Sequence, residues 1–293
     1  MTGPLDAVSE ILLGTSSWTA RGWKSAFYPR GLPAARYLEY YSRHFATVEI
    51  DSTFYAIPPP ETVAGWVERT PPEFLFAAKV PQVITHERAL AGADDELRRF
   101  CRTMEPLGAR LGPLLLQLPY FNRKQFATGG EFVDRVRAFL AGVPGGIRWA
   151  LEIRNRAWIG PELLDLLSEH DVGFVLIDHP WMPRPMEYLE IVGSADRLIT
   201  SDFVYVRWLG DRHAIESMTT TWDRTIVDRS GDLEQWAALL REIAPKVRKV
   251  YAYANNHYAG FAPDTLRSFN RIWGGGLIPD VAGASTTDQP ALF

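Results

Sequence analysis

Apolar residues along this chain fall into two alternating patterns. Short runs rich in β-branched and aromatic residues predict strands, and longer amphipathic stretches between them predict helices. The short runs lie at 11–16 (ILLGTS), 47–52 (TVEIDS), 74–80 (FLFAAKV) and 113–118 (PLLLQL). Four more lie at 147–153 (IRWALEI), 172–178 (VGFVLID), 203–209 (FVYVRWL) and 249–255 (KVYAYAN). Helices are expected at PAARYLEYYSRHF, with Pro33 at its start, and at PETVAGWVERT, stopped by Pro71 and Pro72. DDELRRFCRTMEPLG and EFVDRVRAFLAG end in Gly108 and Gly142, which suit helix C-termini. PELLDLLSEH, GDLEQWAALLREIA and PDTLRSFNRIWGG complete the set.

Eight strands alternating with helices or long crossovers predict a single α/β domain, a (β/α)8 barrel of the TIM type. A doubly wound open sheet is the rival, but no glycine fingerprint follows the first strand; GTSSW is not a phosphate-cradling loop. The barrel core is expected at about 11–273. The crossover between strands six and seven (179–201) is broken by prolines and reads as irregular. The tail 274–293, rich in Gly, Ala and Pro, reads as loosely packed.

Composition narrows the function classes. With 293 residues, 46% of them hydrophobic, the chain can bury a large core. A net charge of −4 removes any global attraction for nucleic acid or an anionic membrane, and leaves only a local basic patch as a route to nucleic acid. The single cysteine, Cys101, excludes an internal disulfide and reads as a small core residue. No leader signal opens the chain and no apolar run approaches ~18 residues, so a cytoplasmic protein without a membrane partner is expected. Oligomeric state is not legible. The ten tryptophans are more than a core readily absorbs, so some must be exposed or line a cavity.

The strand at 47–52 carries the first chemical signal. Glu49 and Asp51 alternate with Val48 and Ile50, so both carboxylates point to one face. In a barrel that face is the interior, where a charge needs a partner. Other strands end in the same way: Lys79 and then His86 after the third, Gln117 after the fourth, and Glu152 and Arg154 after the fifth. Asp178 and His179 follow the sixth, Arg207 lies in the seventh, and Asn255, Asn256 and His257 follow the eighth. A barrel site lies at the C-terminal strand ends, so this convergence predicts one.

The motifs GTSSW, GWKSAFYP, LEYYSRHFATVEIDSTFY, FAAKVPQVITHE, LLQLP, LEIRNRAW, YVRWLG and YAYANNHYAG resemble the YecE-like family of unknown function (DUF 72) from about Ile11 to Trp273. The resemblance implies a TIM-type barrel and supplies no established reaction. It also implies that Asn is more usual than Asp at position 51, and that His is common at positions 155 and 209, where this chain has Asn155 and Leu209. The essential polar set then needs neither a carboxylate at 51 nor a histidine at 155 or 209.

The leading expectation is an enzyme acting by acid–base catalysis, a hydrolase or isomerase, on an anionic ring-bearing substrate. A phosphorylated sugar, a nucleotide or a nucleic-acid end would fit. Glu49 and Glu152 would exchange protons, with His86 a further candidate. Lys79, Arg154 and Arg207 would bind the anion, and Gln117, Asn255 and Asn256 would orient hydroxyls or a carbonyl. Trp18 and Trp158 would stack on the ring. The plain structural alternative pairs these carboxylates with Lys79, Arg154 or Arg207 merely to neutralise buried charge. A metal-dependent phosphoesterase is a second reading, and a non-catalytic nucleotide or nucleic-acid binding module a third. Glu49, Glu152, Asp178 and His257 could hold a divalent metal, but three cations would crowd it and no HxH or HExxH spacing appears. No cofactor is expected.

Overall fold

Each of the eight short apolar runs folds as a strand. They are β1 Glu10–Thr15, β2 Thr47–Ile50, β3 Leu75–Lys79, β4 Leu111–Gln117, β5 Trp149–Glu152, β6 Val172–Asp178, β7 Phe203–Trp208 and β8 Lys249–Ala254. The computed structural model describes residues 9–279. The strands are parallel in the order β1-β8-β7-β6-β5-β4-β3-β2, which curls into a nearly closed (β/α)8 barrel.

The seam between β1 and β2 carries no ladder in this order, and its closure depends on two residues. Gly14 lets the backbones touch: a Cβ there would lie 2.2 Å from the Thr47 carbonyl oxygen. Tyr41 then stitches the gap from the outer layer. Its hydroxyl accepts from the Thr15 N–H at 2.8 Å and lies 3.2 Å from the Thr47 carbonyl, to which it can donate. Tyr41→Phe would leave that buried N–H unpaired and should cost about 1–3 kcal/mol in urea unfolding. An unchanged midpoint would mean that packing alone holds the seam.

The outer layer begins with α1 Tyr37–Tyr41, α2 Pro60–Glu68, α3 Asp94–Met104, α4 Gly129–Leu140 and α5 Pro161–Glu169. It continues with α6 Pro185–Val192, α7 Arg212–Met218, α8 Ser230–Ile243, α9 Asn256–Ala259 and α10 Ala262–Trp273. In α3 the buried Leu97, Phe100, Cys101 and Met104 recur three and four apart, and Asp94, Asp95 and Glu96 in the first turn complement the helix dipole. Burial pushes the Cys101 thiol up to about 11, consistent with a packing role.

Three expectations change here. The crossover after β6 is not irregular throughout, because Pro185 opens α6 at the position where a missing N–H costs nothing. The Glu187 carboxylate accepts from the Arg184 N–H at 2.7 Å, and Gly193 ends the helix in the left-handed region. Helix α7 has no counterpart in the sequence reading. Gly108 and Gly142 stop helical runs without being left-handed caps directly on α3 and α4: Gly108, at φ 50°, breaks the 3-10 stretch that continues α3, and Gly142 follows the α4 C-cap Ala141. Of the tail, 280–293 lies outside the described residues. Leu277 and Ile278 pack against the core, and the Leu277 N–H donates to Asn270 at 2.9 Å.

Candidate active site

Inside the barrel, aromatic rings form the floor of the site. Tyr205 packs on Tyr253 at 5.0 Å and on Tyr251 at 6.4 Å between ring centroids. The Tyr253 hydroxyl is 2.8 Å from Thr47 Oγ1 across the lumen. Two residues further toward the C-terminal ends, Thr47 of β2 gives way to Glu49 and Tyr205 of β7 to Arg207, and Glu152 joins them from β5.

Arg207 is the hub. Its Nη2 donates to Glu49 at 2.7 Å and its Nη1 to Glu152 at 2.5 Å, so one guanidinium joins β7 to β2 and β5. Tyr205 donates to the second Glu49 oxygen at 2.6 Å, and Arg154 donates to the second Glu152 oxygen through Nε and Nη2 at 2.8 and 2.7 Å. Both carboxylates are 0% exposed, and all four of their oxygens are bonded. Burial favours the neutral acid at Glu152, but Arg154 and then Arg207 outweigh it and hold the carboxyl down to about 2. Burial works against the Arg207 charge too, and Glu152 and Glu49 overcome it, raising its pKa. Arg207 Nε–H is buried without a partner among the described residues.

Lys79 differs from the arginines. Its Nζ lies 3.7 Å from the centroid of the Phe54 ring, and no carboxylate among the described residues comes within ion-pair distance. Phe54 is placed by a 3-10 turn, Ser52–Phe54, pinned when Thr53 Oγ1 donates to the Lys79 carbonyl at 2.7 Å. Burial, and then Arg207, push the Lys79 ammonium down to about 8. Beyond the same ring, 4.8 Å away, lies His86 on a π-helical turn, Val83–Glu87. Such turns recur at functional sites. Burial and then Lys79 push His86 down to about 4, so it is neutral at physiological pH. Asp51 follows β2, and burial and then Glu49 push its carboxyl up to about 6.

The β1 and β8 ends form a polar corner of about 140 Å³ lined by Thr15, Ser16, Asp51, Asn255, Asn256 and His257, among others. Ser16 Oγ is buried there with no partner among the described residues. Asn255 Oδ1 accepts from the His257 N–H at 3.0 Å, and Asn256 Oδ1 from Trp23 Nε1 at 3.2 Å and Ala262 N–H at 3.0 Å. Their carbonyl ends serve the fold, and no hydrogen-bond partner for their amide N–H groups is found among the described residues. Gln117 stands beside Glu152 in the β4–β5 register and donates to the Leu118 carbonyl at 2.6 Å.

Two strand-end residues are held by other partners. Asp178 faces the helical layer, accepting from Trp236 Nε1 at 2.7 Å and pairing with Arg184. His257 is engaged by Asn255 at 2.6 Å and by Glu216 at 3.1 Å. The four side chains offered from the sequence as metal ligands therefore do not converge. Among the described residues no group of three His, Cys, Asp or Glu is arranged to hold a metal ion. Trp18 packs edge-on against Trp66 at 5.8 Å, and Trp158 lies in an aromatic cluster, 4.7 Å from Phe132. The aromatics left open to solvent at this face are Tyr55, Tyr120 and Trp181, which sequence reasoning did not select. Their only signal was position after β2, β4 and β6. Asn155 clamps the β4 and β5 loops with two hydrogen bonds to the Phe121 backbone, at 2.9 and 3.0 Å.

No helix among the described residues is long and apolar enough to cross a membrane. Residues 12–285 match the family described as protein of unknown function DUF72. The UPF0759 protein YecE of Escherichia coli strain K12 is 36% identical over 193 residues, a match covering 64% of this chain and 66% of that protein, a little under two thirds of each. The UPF0759 protein YunF of Bacillus subtilis strain 168 is 27% identical over 271 residues, covering 87% of this chain and 91% of that protein. A DUF72 family protein from Thermotoga maritima MSB8 superposes with a TM-score of 0.71 at 26% identity, over 90% of this chain and 98% of that one. The chain belongs to the DUF72 family, whose barrel it shares and whose function is unknown.

Proposed function

We propose that the barrel mouth is the active site of an enzyme that binds an anionic, ring-bearing substrate such as a phosphorylated sugar or nucleotide and moves a proton on it. The observation that carries this reading is Lys79, a half-buried ammonium on the Phe54 ring with no carboxylate partner among the described residues. A cation kept from Glu49 and Glu152, whose oxygens Arg207, Arg154 and Tyr205 saturate, is free for an incoming anion.

Proton transfer needs a group that changes charge near neutrality. Glu152, held near 2, stays an anion, and Glu49 has both oxygens bonded by Arg207 and Tyr205, so the pair expected from sequence to exchange protons serves better as partners for the arginines. Lys79 near 8 and Asp51 near 6 straddle neutrality, which suits an acid and a base. Neutral His86 can accept a proton. The polar corner at Ser16 and Asn255 suits substrate hydroxyls.

Ribose 5-phosphate binding, followed by calorimetry against pH, tests the reading. Affinity should fall as pH rises through about 8, where Lys79 loses its charge. Lys79→Met should bind about tenfold or more weakly below that pH, the worth of a charge-assisted hydrogen bond, and should lack the alkaline limb. Binding that is absent, or indifferent to Lys79, removes the proposal.

A further inference from the structure

A cleft of about 750 Å³ opens beside the mouth, between the loops that follow β4, β5 and β6. Its volume is that of a site for a small organic ligand. Two large aromatics line it while facing solvent: Trp181 is 70% exposed and Tyr120 62%. The half-buried Trp158 forms part of its wall. Three arginines line it, Arg123, Arg154 and Arg156, and no acidic side chain does among the described residues. Arg156 is paired with Glu187 at 3.1 Å and Arg154 with Glu152 at 2.7 Å, whereas Arg123 has no carboxylate within ion-pair distance among the described residues. Arg154 belongs to both regions, since it lines the cleft and lowers the pKa of Lys79 and His86 by its charge.

Exposed aromatic faces beside the unneutralised guanidinium of Arg123 suit a planar heteroaromatic ring that carries an anion. A planar base covers more of Trp181 and Tyr120 than a furanose ring does, whereas sugar hydroxyls suit the polar corner at Ser16. We propose that this cleft binds the base of a nucleoside monophosphate, with the ring on Trp181 and Tyr120 and the phosphate at Arg123 and Arg154, directed toward Lys79. This names the substrate class of the site described above and rests on that reading for the phosphate position alone.

Calorimetry on the full chain with three probes tests it: adenosine 5′-monophosphate, ribose 5-phosphate and adenosine. The monophosphate should bind about tenfold or more tightly than ribose 5-phosphate, the worth of one stacked base, and more tightly than adenosine. Trp181→Ala and Tyr120→Ala should remove most of the advantage over ribose 5-phosphate and leave ribose 5-phosphate binding unchanged. Arg123→Gln should weaken both phosphorylated probes. All three side chains are exposed, so the variants should fold, which thermal melting checks. Equal affinity for the monophosphate and ribose 5-phosphate, no binding of the monophosphate at millimolar concentration, or indifference to Trp181→Ala each overturns the proposal. So does a Trp181→Ala variant that changes oligomeric state while keeping its affinity for the monophosphate. Ribose 5-phosphate binding that depends on Lys79 without any gain from the base defeats this inference and spares the active-site reading. Base-dependent binding that ignores Lys79 does the reverse.

Discussion

Arg207→Leu is expected to destabilise the protein by about 3–5 kcal/mol, the usual result of removing one partner from a buried ion pair. The guanidinium bonds both Glu49 and Glu152, and both carboxylates are buried. Without it, Glu49 keeps only the Tyr205 hydroxyl and Glu152 only Arg154. For a chain of this length that loss lowers the melting temperature by roughly 6–15 °C. Arg207→Lys should recover only part of it, because a point-like ammonium cannot reproduce a fork bridging two strands. Replacing Glu49 and Glu152 with Gln alongside Arg207→Met should recover more, since the buried charges leave together. Melting within about 2 °C of the parent for Arg207→Leu would mean that water reaches these carboxylates.

Gly14→Ala should cost about 3 kcal/mol, at the upper end for overpacking. The added Cβ would meet the Thr47 carbonyl oxygen at 2.2 Å and its carbon at 2.8 Å. Backbone in the next strand cannot swing aside as a side chain could, so β1 and β2 must separate. They would part at the edge that no ladder reinforces, pulling Tyr41 from at least one of its two backbone partners. Gly145→Ala is the control: nothing lies within 4 Å of its added methyl, and its effect should stay within about 0.5 kcal/mol. Urea unfolding of the two variants compares them directly. Equal stability would mean that β1 and β2 move apart at no cost.

Much of this architecture is local and therefore legible in sequence. A strand such as β6 Val172–Asp178, buried along its whole length, reads as an unbroken apolar run, because a parallel sheet inside a helical layer meets no water on either face. Helix α3 shows its buried side directly in its spacing. The helix after β6 was hidden because proline reads as a breaker, and only the chain geometry shows that Pro185 stands at the first helical position.

The candidate site was legible to the extent that its chemistry lies at strand ends. Alternation along β2 placed Glu49 on the inner face without any knowledge of its partners. Alternation also explains the error at Asp178: it is paired in the sheet with Trp208, while the inward Arg207 pairs with Ile177 one position earlier. A shift of one residue turns a side chain from the lumen to the helices.

Sequence by itself determined the order of the eight strands and of most helices between them, the barrel class and most of the ionisable residues near its mouth. Those follow from periodicity and from which residue types end each strand, and both are local properties. Tertiary structure alone decided which charges satisfy one another. Arg207 and Glu49 are 158 residues apart in the chain, and only barrel closure brings them to 2.7 Å. That closure leaves Lys79 on Phe54 and not on a carboxylate, and it leaves Trp181 and Tyr120 facing solvent over one cleft. Pairing and exposure depend on distances across the fold, for which spacing along the chain holds no signal.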